Sequence, residues 1–128
     1  MRVAKEDVDV RMEIPRALIR QRMHFGDTSG FDSLSGEYYT LAAGVDTTPL
    51  FQGLEGDLCQ CPHWGFVVRG QLTTTDATGV QETVRTHDLF YWPPGHNVRV
   101  DLDAEIVMFS PQREHTRVIA HMIEKVKG

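Results

Sequence analysis

Cysteine is scarce in this chain: Cys59 and Cys61 are the only two in 128 residues. Two are too few for a disulfide framework. Placed two apart on a strand, they also sit near or beyond the ~7 Å Cα separation that a crosslink tolerates. Metal binding or simple burial is what remains for them. No apolar run approaches the ~20 residues of a membrane-spanning helix, so no membrane partner is expected. Basic residues are outnumbered, the net charge is -5, and no basic stripe is present. Without one, phosphates go unneutralised and nucleic acid is not an expected partner. Met1 to Asp9 mixes charges of both signs and has no apolar core, so it is not a secretory signal and the cytoplasm is the expected location. There is no internal repeat, no low-complexity tract, no glycine loop to cradle a phosphate, and no Ser-His-Asp or Cys-His spacing that argues for a nucleophile.

What is present is an ordinary globular composition, 41% hydrophobic, in a length that suits one domain over residues 1–128. The charged, weakly patterned residues 1–13 are expected to be mobile. Ala17 to Met23 alternates as an edge strand, His24 to Ser35 reads as a loop, and Gly36 to Ala43 as a strand. Leu58 to Cys61 reads as a short strand and Phe66 to Thr75 as a longer one. Asp76-Ala77-Thr78-Gly79 turns the chain into Val80 to Thr86, a hairpin. Leu89 to Trp92 is an aromatic strand, Pro93-Pro94-Gly95 a rigid turn, and His96 to Leu102 and Glu105 to Phe109 two further strands. About eight short strands at this spacing predict an all-β sandwich or barrel. The spacing of Val118, Ile119, Met122, Ile123 and Val126 predicts one C-terminal helix over 111–127, with Ser110 as its N-cap and Pro111 in its first turn. That stripe needs a partner, either the outer face of the sheet or another subunit.

The chemistry concentrates in Gly56 to Gly70. On an extended strand Cys59, Cys61 and His63 point to one side. Two thiols and an imidazole are soft metal ligands, and His96 follows the rigid turn at the start of a later strand. Cys59, Cys61, His63 and His96 are therefore the candidate metal ligands, with Zn or Fe the divalent ions that suit them. Tyr38, Trp64, Phe90 and Trp92 are the candidate pocket-lining residues. Asp57 is either a ligand, an acceptor for a histidine N–H, or an exposed turn carboxylate. His87 is assigned to a turn, and His24, His115 and His121 to the surface or the framework.

Two segments together resemble the motifs of a small single-domain cupin. Gly56, Cys59-Gln60-Cys61, His63 and Phe66 to Gly70 fill the frame of the first motif. His87-Asp88, Leu89 to Trp92 and Pro93-Pro94-Gly95-His96 fill that of the second. In the first, thiols replace the histidine pair and no glutamate stands in its usual place. Counted back from Gly70, His63 takes the glutamate position, Cys59 the second histidine position and Asp57 the first. A bulge at Pro62 would instead bring Cys61 into register. In the second, His96 directly follows the glycine and Val98 holds the usual histidine position. The resemblance implies an all-β, double-stranded antiparallel barrel of jelly-roll type, a metal site inside it, a small-molecule ligand or substrate, and a homodimer. It leaves open a metal-dependent enzyme (oxygenase, isomerase or lyase), a non-catalytic binding or sensor protein with a closed Cys/His site, and a dimeric barrel that has lost its metal.

Overall fold

The computed structural model describes residues 1–26 and 31–128, so positions 27–30 of the expected loop lie outside it. Its strands are β1 (Val10–Ile14), β2 (Ala17–Arg22), β3 (Leu34–Leu41), β4 (His63–Asp76), β5 (Gln81–Arg85), β6 (Leu89–Trp92) and β7 (His96–Pro111). A short helix, α1 (Thr48–Phe51), a long one, α2 (Gln112–Lys127), and two 3₁₀ turns, Lys5–Asp7 and Glu55–Asp57, complete the regular structure. Pairing is antiparallel throughout, in the order β1-β2-β3-β7-β4-β5, with β6 beside β4. This is the all-β barrel with one C-terminal helix that the sequence predicts.

Two long strands organise it. Along β7 the even-numbered side chains His96, Val98, Val100, Ala104, Ile106, Met108 and Ser110 are buried, and the alternation keeps its phase past Asp103. The two strands expected around Asp103-Ala104 are therefore one. Gly70 of the facing strand makes this continuity possible: a Cβ there would lie 2.3 Å from the Asp103 carbonyl oxygen, and its φ is +101°. Register shifts on either side of Gly70 bend β4, so its first half pairs with β6 and its second half with β5. Inward side chains from both long strands, among them Val67, Leu72, Val100, Ile106 and Met108, form the core with Met12 and Ile19.

Four local expectations are corrected. Leu58 to Cys61 is not a strand. Its one ladder contact is an isolated bridge between Cys59 and His96, because positive φ at Gly56 and Asp57 turns the chain just before it. Ala17 to Arg22 is not an edge strand, since β1 pairs along its outer side. Residues 1–13 are tied down: Val8 and Met12 are buried and β1 begins at Val10. Ser110 does not cap the helix but is a buried residue of β7, and Pro111, the last residue of that strand, takes the cap position.

The stripe on α2 turns inward rather than toward the outside of the sheet. Val118, Ile119 and Met122 belong to the core, while Val126 remains partly exposed. The apolar partner that the stripe requires is thus the barrel itself. Among the described residues no helix is long and apolar enough to cross a membrane.

Candidate metal centre

His63 opens β4 and His96 opens β7, so each imidazole is fixed at the point where a turn becomes a strand. The turn before His96 sets the spacing. Gly95, at φ +89°, donates its N–H to the Cys59 carbonyl at 2.8 Å. Cys59 and His96 then exchange backbone hydrogen bonds of 2.9 and 3.2 Å. These contacts draw the irregular Cys59 segment against β7. Cys59, His63 and His96 are all buried, and their donor atoms lie within 4.8 Å of one another.

The hydrogen bonds around this group settle which ring nitrogens are free. His96 Nδ1 lies 2.7 Å from the Pro93 carbonyl oxygen, which can only accept, so Nδ1 carries the proton. The Ser110 hydroxyl donates to Glu37 Oε1 at 3.1 Å, which leaves its oxygen to accept from His63 Nδ1–H at 2.7 Å. Both rings are therefore Nδ1–H tautomers with an Nε2 lone pair to offer. The Cys59 sulfur stands 3.5 Å from His63 Nε2. That matches the ~3.5 Å ligand-to-ligand edge of a tetrahedron built from Zn–S of ~2.3 Å and Zn–N of ~2.0–2.1 Å. The residues present fit a divalent ion.

Electrostatics agree with neutral imidazole donors. Burial, reinforced by the neighbouring His115 and His96, holds His63 well below the ordinary histidine range. His96 is also lowered, by burial and His115, against an opposing hydrogen bond to Pro93. Burial pushes the Cys59 thiol up to about 12, so it ionises near neutrality only when a cation displaces the proton. Burial and the neighbouring Cys59 raise Cys61 as well.

Behind His63 stands a second buried group, Glu37 with His115, whose donor atoms also cluster with those of His63. Its hydrogen bonds are already made. Glu37 Oε2 accepts from Ser35 Oγ at 2.6 Å and from His115 Nδ1 at 2.6 Å, and Oε1 accepts from Ser110. Tyr39 donates its hydroxyl to His115 Nε2 at 3.3 Å. A carboxylate with three donors is a scaffold that orients His63. The sequence did not single out Glu37, and it left His115 open between the surface and the framework. Glu37 shares the inward phase of Ser35 and Tyr39 on β3, and an inward carboxylate needs partners. His115 lies three, four and seven residues before Val118, Ile119 and Met122, on the apolar stripe itself.

The remaining candidates separate cleanly. Cys61 is buried but outside the donor group, with its sulfur against the carbonyls of Pro62 and Pro111. Asp57 is an exposed turn carboxylate that accepts the Gly53 N–H. Trp92 lines the interior, and Phe90 is buried in the core, stacked on it at 4.1 Å between ring centroids. Trp64 and Tyr38 do not line the interior: odd positions of β4 and β3 face inward there, and Tyr39 takes the inward place. His87, at φ +73°, is the turn residue the sequence predicts. His121 bonds the Gln52 carbonyl oxygen at 2.7 Å, tying α2 to the segment after α1.

The three donors edge an interior cavity of about 50 Å³. Its other walls are mostly apolar, with Met12, Ile19, Leu72, Val100, Met108 and Met122 among them and Tyr39, Thr47 and His115 as polar members.

The chain is similar to several solved structures. One is the polyketide cyclase RemF of Streptomyces resistomycificus, with a TM-score of 0.58 and 16% identity, over 87% of this chain and 78% of that one. Another is an RmlC-like cupin of Shewanella frigidimarina, with a TM-score of 0.58 and 16% identity, over 89% of this chain and 93% of that one. A third is an oxalate decarboxylase of Lactobacillus farciminis, with a TM-score of 0.57 and 18% identity. There the match covers 84% of this chain but only 31% of the longer one. No protein-family model matches the sequence, and no curated protein is similar to it. The fold is that of the cupins. Structures of this fold similar to the chain include a cyclase, a decarboxylase, an ectoine synthase and a dioxygenase, so the fold leaves the reaction open.

Proposed function

We propose that the chain binds one divalent ion, Zn²⁺ or Fe²⁺, through Cys59, His63 and His96, and acts there as a metal-dependent small-molecule enzyme. The reading rests on one observation: three buried soft donors converge with both imidazole Nε2 lone pairs available, that of His63 facing only the Cys59 thiol. Thiolate among the donors, and no carboxylate with them, favours Zn²⁺. Once bound, such an ion would polarise a ligand oxygen or acidify a bound water. The protein's own part is to orient. Pro93 and the Ser110–Glu37 pair hold the two imidazoles, and the apolar walls exclude bulk water. With only three protein donors, a four-coordinate ion held by them would keep one place for water or substrate, which favours an oxygenase, isomerase or lyase over a closed binding or sensor site. A thiol ligand also suits a reducing compartment, the cytoplasm.

The same reading includes a homodimer through the outer face of β6, β4 and β7. Trp64 pairs across the sheet with Tyr91 and Phe109, and Phe66 with Leu89 and Val107, with no charged residue in either row. Trp64, Phe66, Leu89, Tyr91 and Phe109 are all solvent-exposed, Leu89 the most at 83%. At ~200 Å² per large side chain they present about 500 Å², a large share of the ~800 Å² per partner in a standard interface. An uncharged apolar face on an acidic protein complements itself, so a second copy related by a two-fold axis is its occupant.

Elemental analysis of untagged protein purified without added metal tests the site. The expected result is about one Zn or Fe per chain, lost in Cys59→Ser and retained in Cys61→Ser. Protein that carries no metal and binds neither ion on titration would sink the reading.

A further inference from the structure

Trp92, a residue of the cavity wall, carries a hydrogen-bond donor without an acceptor. Trp92 is 2% exposed, its ring standing edge-on to His63 and tilted toward His96. Its Nε1–H has no hydrogen-bond partner. Buried indole N–H groups ordinarily have one, so this donor points to a ligand. The other orphaned side-chain nitrogen, Arg20 Nε, is not on the cavity wall.

The rest of the wall restricts what that ligand can be. Tyr39 donates to His115, and Thr47 Oγ1 donates to the Val98 carbonyl while accepting the Val98 N–H. These hydroxyl protons are committed, and a ligand's own hydroxyl or amine proton would face walls that are mostly apolar. Among the described residues no lysine or arginine lines the cavity, so a dicarboxylate or an amino acid has no countercharge there. A cavity of about 50 Å³ is small; at ~10–15 Å³ of the same measure per water it admits an organic molecule of about four heavy atoms.

We infer that the barrel interior takes a small, largely apolar carbonyl compound, an aldehyde or ketone, whose oxygen accepts the Trp92 Nε1–H. Such a molecule brings the acceptor that the Trp92 N–H lacks and adds no proton of its own for the mostly apolar wall to satisfy. The inference rests on the reading of the barrel interior as the ligand site, and not on metal occupancy.

Acetone and isobutene, nearly the same shape with and without the oxygen, are the probes. The two indole N–H signals of ¹⁵N-labelled protein are followed by NMR during titration of metal-free and Zn²⁺-loaded samples, with Trp64, on the outer face of the sheet, as the internal control. Acetone should move the Trp92 signal downfield in a saturable way and leave Trp64 without saturation. Isobutene should bind about tenfold more weakly, the effect of one hydrogen bond. Trp92→Phe keeps an aromatic ring against Phe90 and should weaken acetone about tenfold while isobutene is unchanged. No saturable shift, equal binding of the two probes, or an indole proton that contacts only a long-lived water would each overturn the inference. Acetone binding in protein that takes up no Zn²⁺ would refute the metal reading and uphold this one. Zn²⁺ uptake without a Trp92 response would do the reverse.

Discussion

Replacing Glu37 by glutamine changes one atom and leaves the shape of the buried network intact, yet it should disable a residue that Glu37 does not touch. The carboxylate can only accept. It takes two donors on Oε2, from Ser35 and His115, and one on Oε1, from Ser110. A glutamine would keep its carbonyl oxygen where two donors converge and turn its NH₂ toward Ser110. Ser110 would then accept that N–H, and its own proton would be free to point at His63 Nδ1, 2.7 Å away. His63 is pushed to the opposite tautomer, with the proton on Nε2, the nitrogen that faces Cys59. Metal binding would have to reverse this. Loss of such an outer partner weakens metal binding about 10- to 100-fold, or about 1.4 to 2.7 kcal/mol. Competition titration with a chromophoric chelator reads the affinity for Zn²⁺, and ¹⁵N shifts of the histidine rings read the tautomer. Ser110→Ala removes the same partner without imposing the wrong proton, so its loss of affinity should be the smaller of the two. Zn²⁺ affinity in Glu37→Gln within twofold of wild type, with His63 still protonated at Nδ1, would refute the reasoning.

The metal-free protein should be most stable between about pH 7 and 9. His63 and His96 are lowered from 6.5 in the folded state, so the unfolded chain binds more protons as pH falls below that value and stability is lost there. Cys59 is raised from 9.0 to about 12, so the unfolded chain ionises first and stability is lost as pH rises through that interval. Denaturant melts at pH 5, 7, 8 and 10 check both limbs, and a rise in stability toward pH 5 contradicts the first. On the outer face, Trp64→Glu places a charge in the centre of the apolar rows and should convert a dimer to a monomer by light scattering at micromolar concentration, with the thermal melt of the barrel little changed. A wild-type monomer at that concentration contradicts the interface.

The all-β fold, the C-terminal helix and the turn before His96 were legible in the sequence because each is set locally, by alternation, by helical spacing, and by the backbone limits of proline and glycine. So were Cys59, His63 and His96 as a chemically related set, because their side chains are rare and close to the motif frame. The registers of Cys59 and Cys61 stayed open, since both thiols have the same parity and the same neighbours. Only the bridge between Cys59 and His96, made by backbone atoms from distant parts of the chain, brings one sulfur to the imidazoles and leaves the other beside Pro62 and Pro111. Glu37 and His115 lie far apart in the chain but 2.6 Å apart in the fold. Their partnership depends on β3 and α2 meeting behind β4, which no local pattern encodes. The direction of the α2 stripe was undecided for the same reason. Periodicity says that a face must be buried, and the closure of the barrel decides against what. The sequence by itself determined which residue types could hold a metal; the tertiary structure decided which lone pairs are left free to do so.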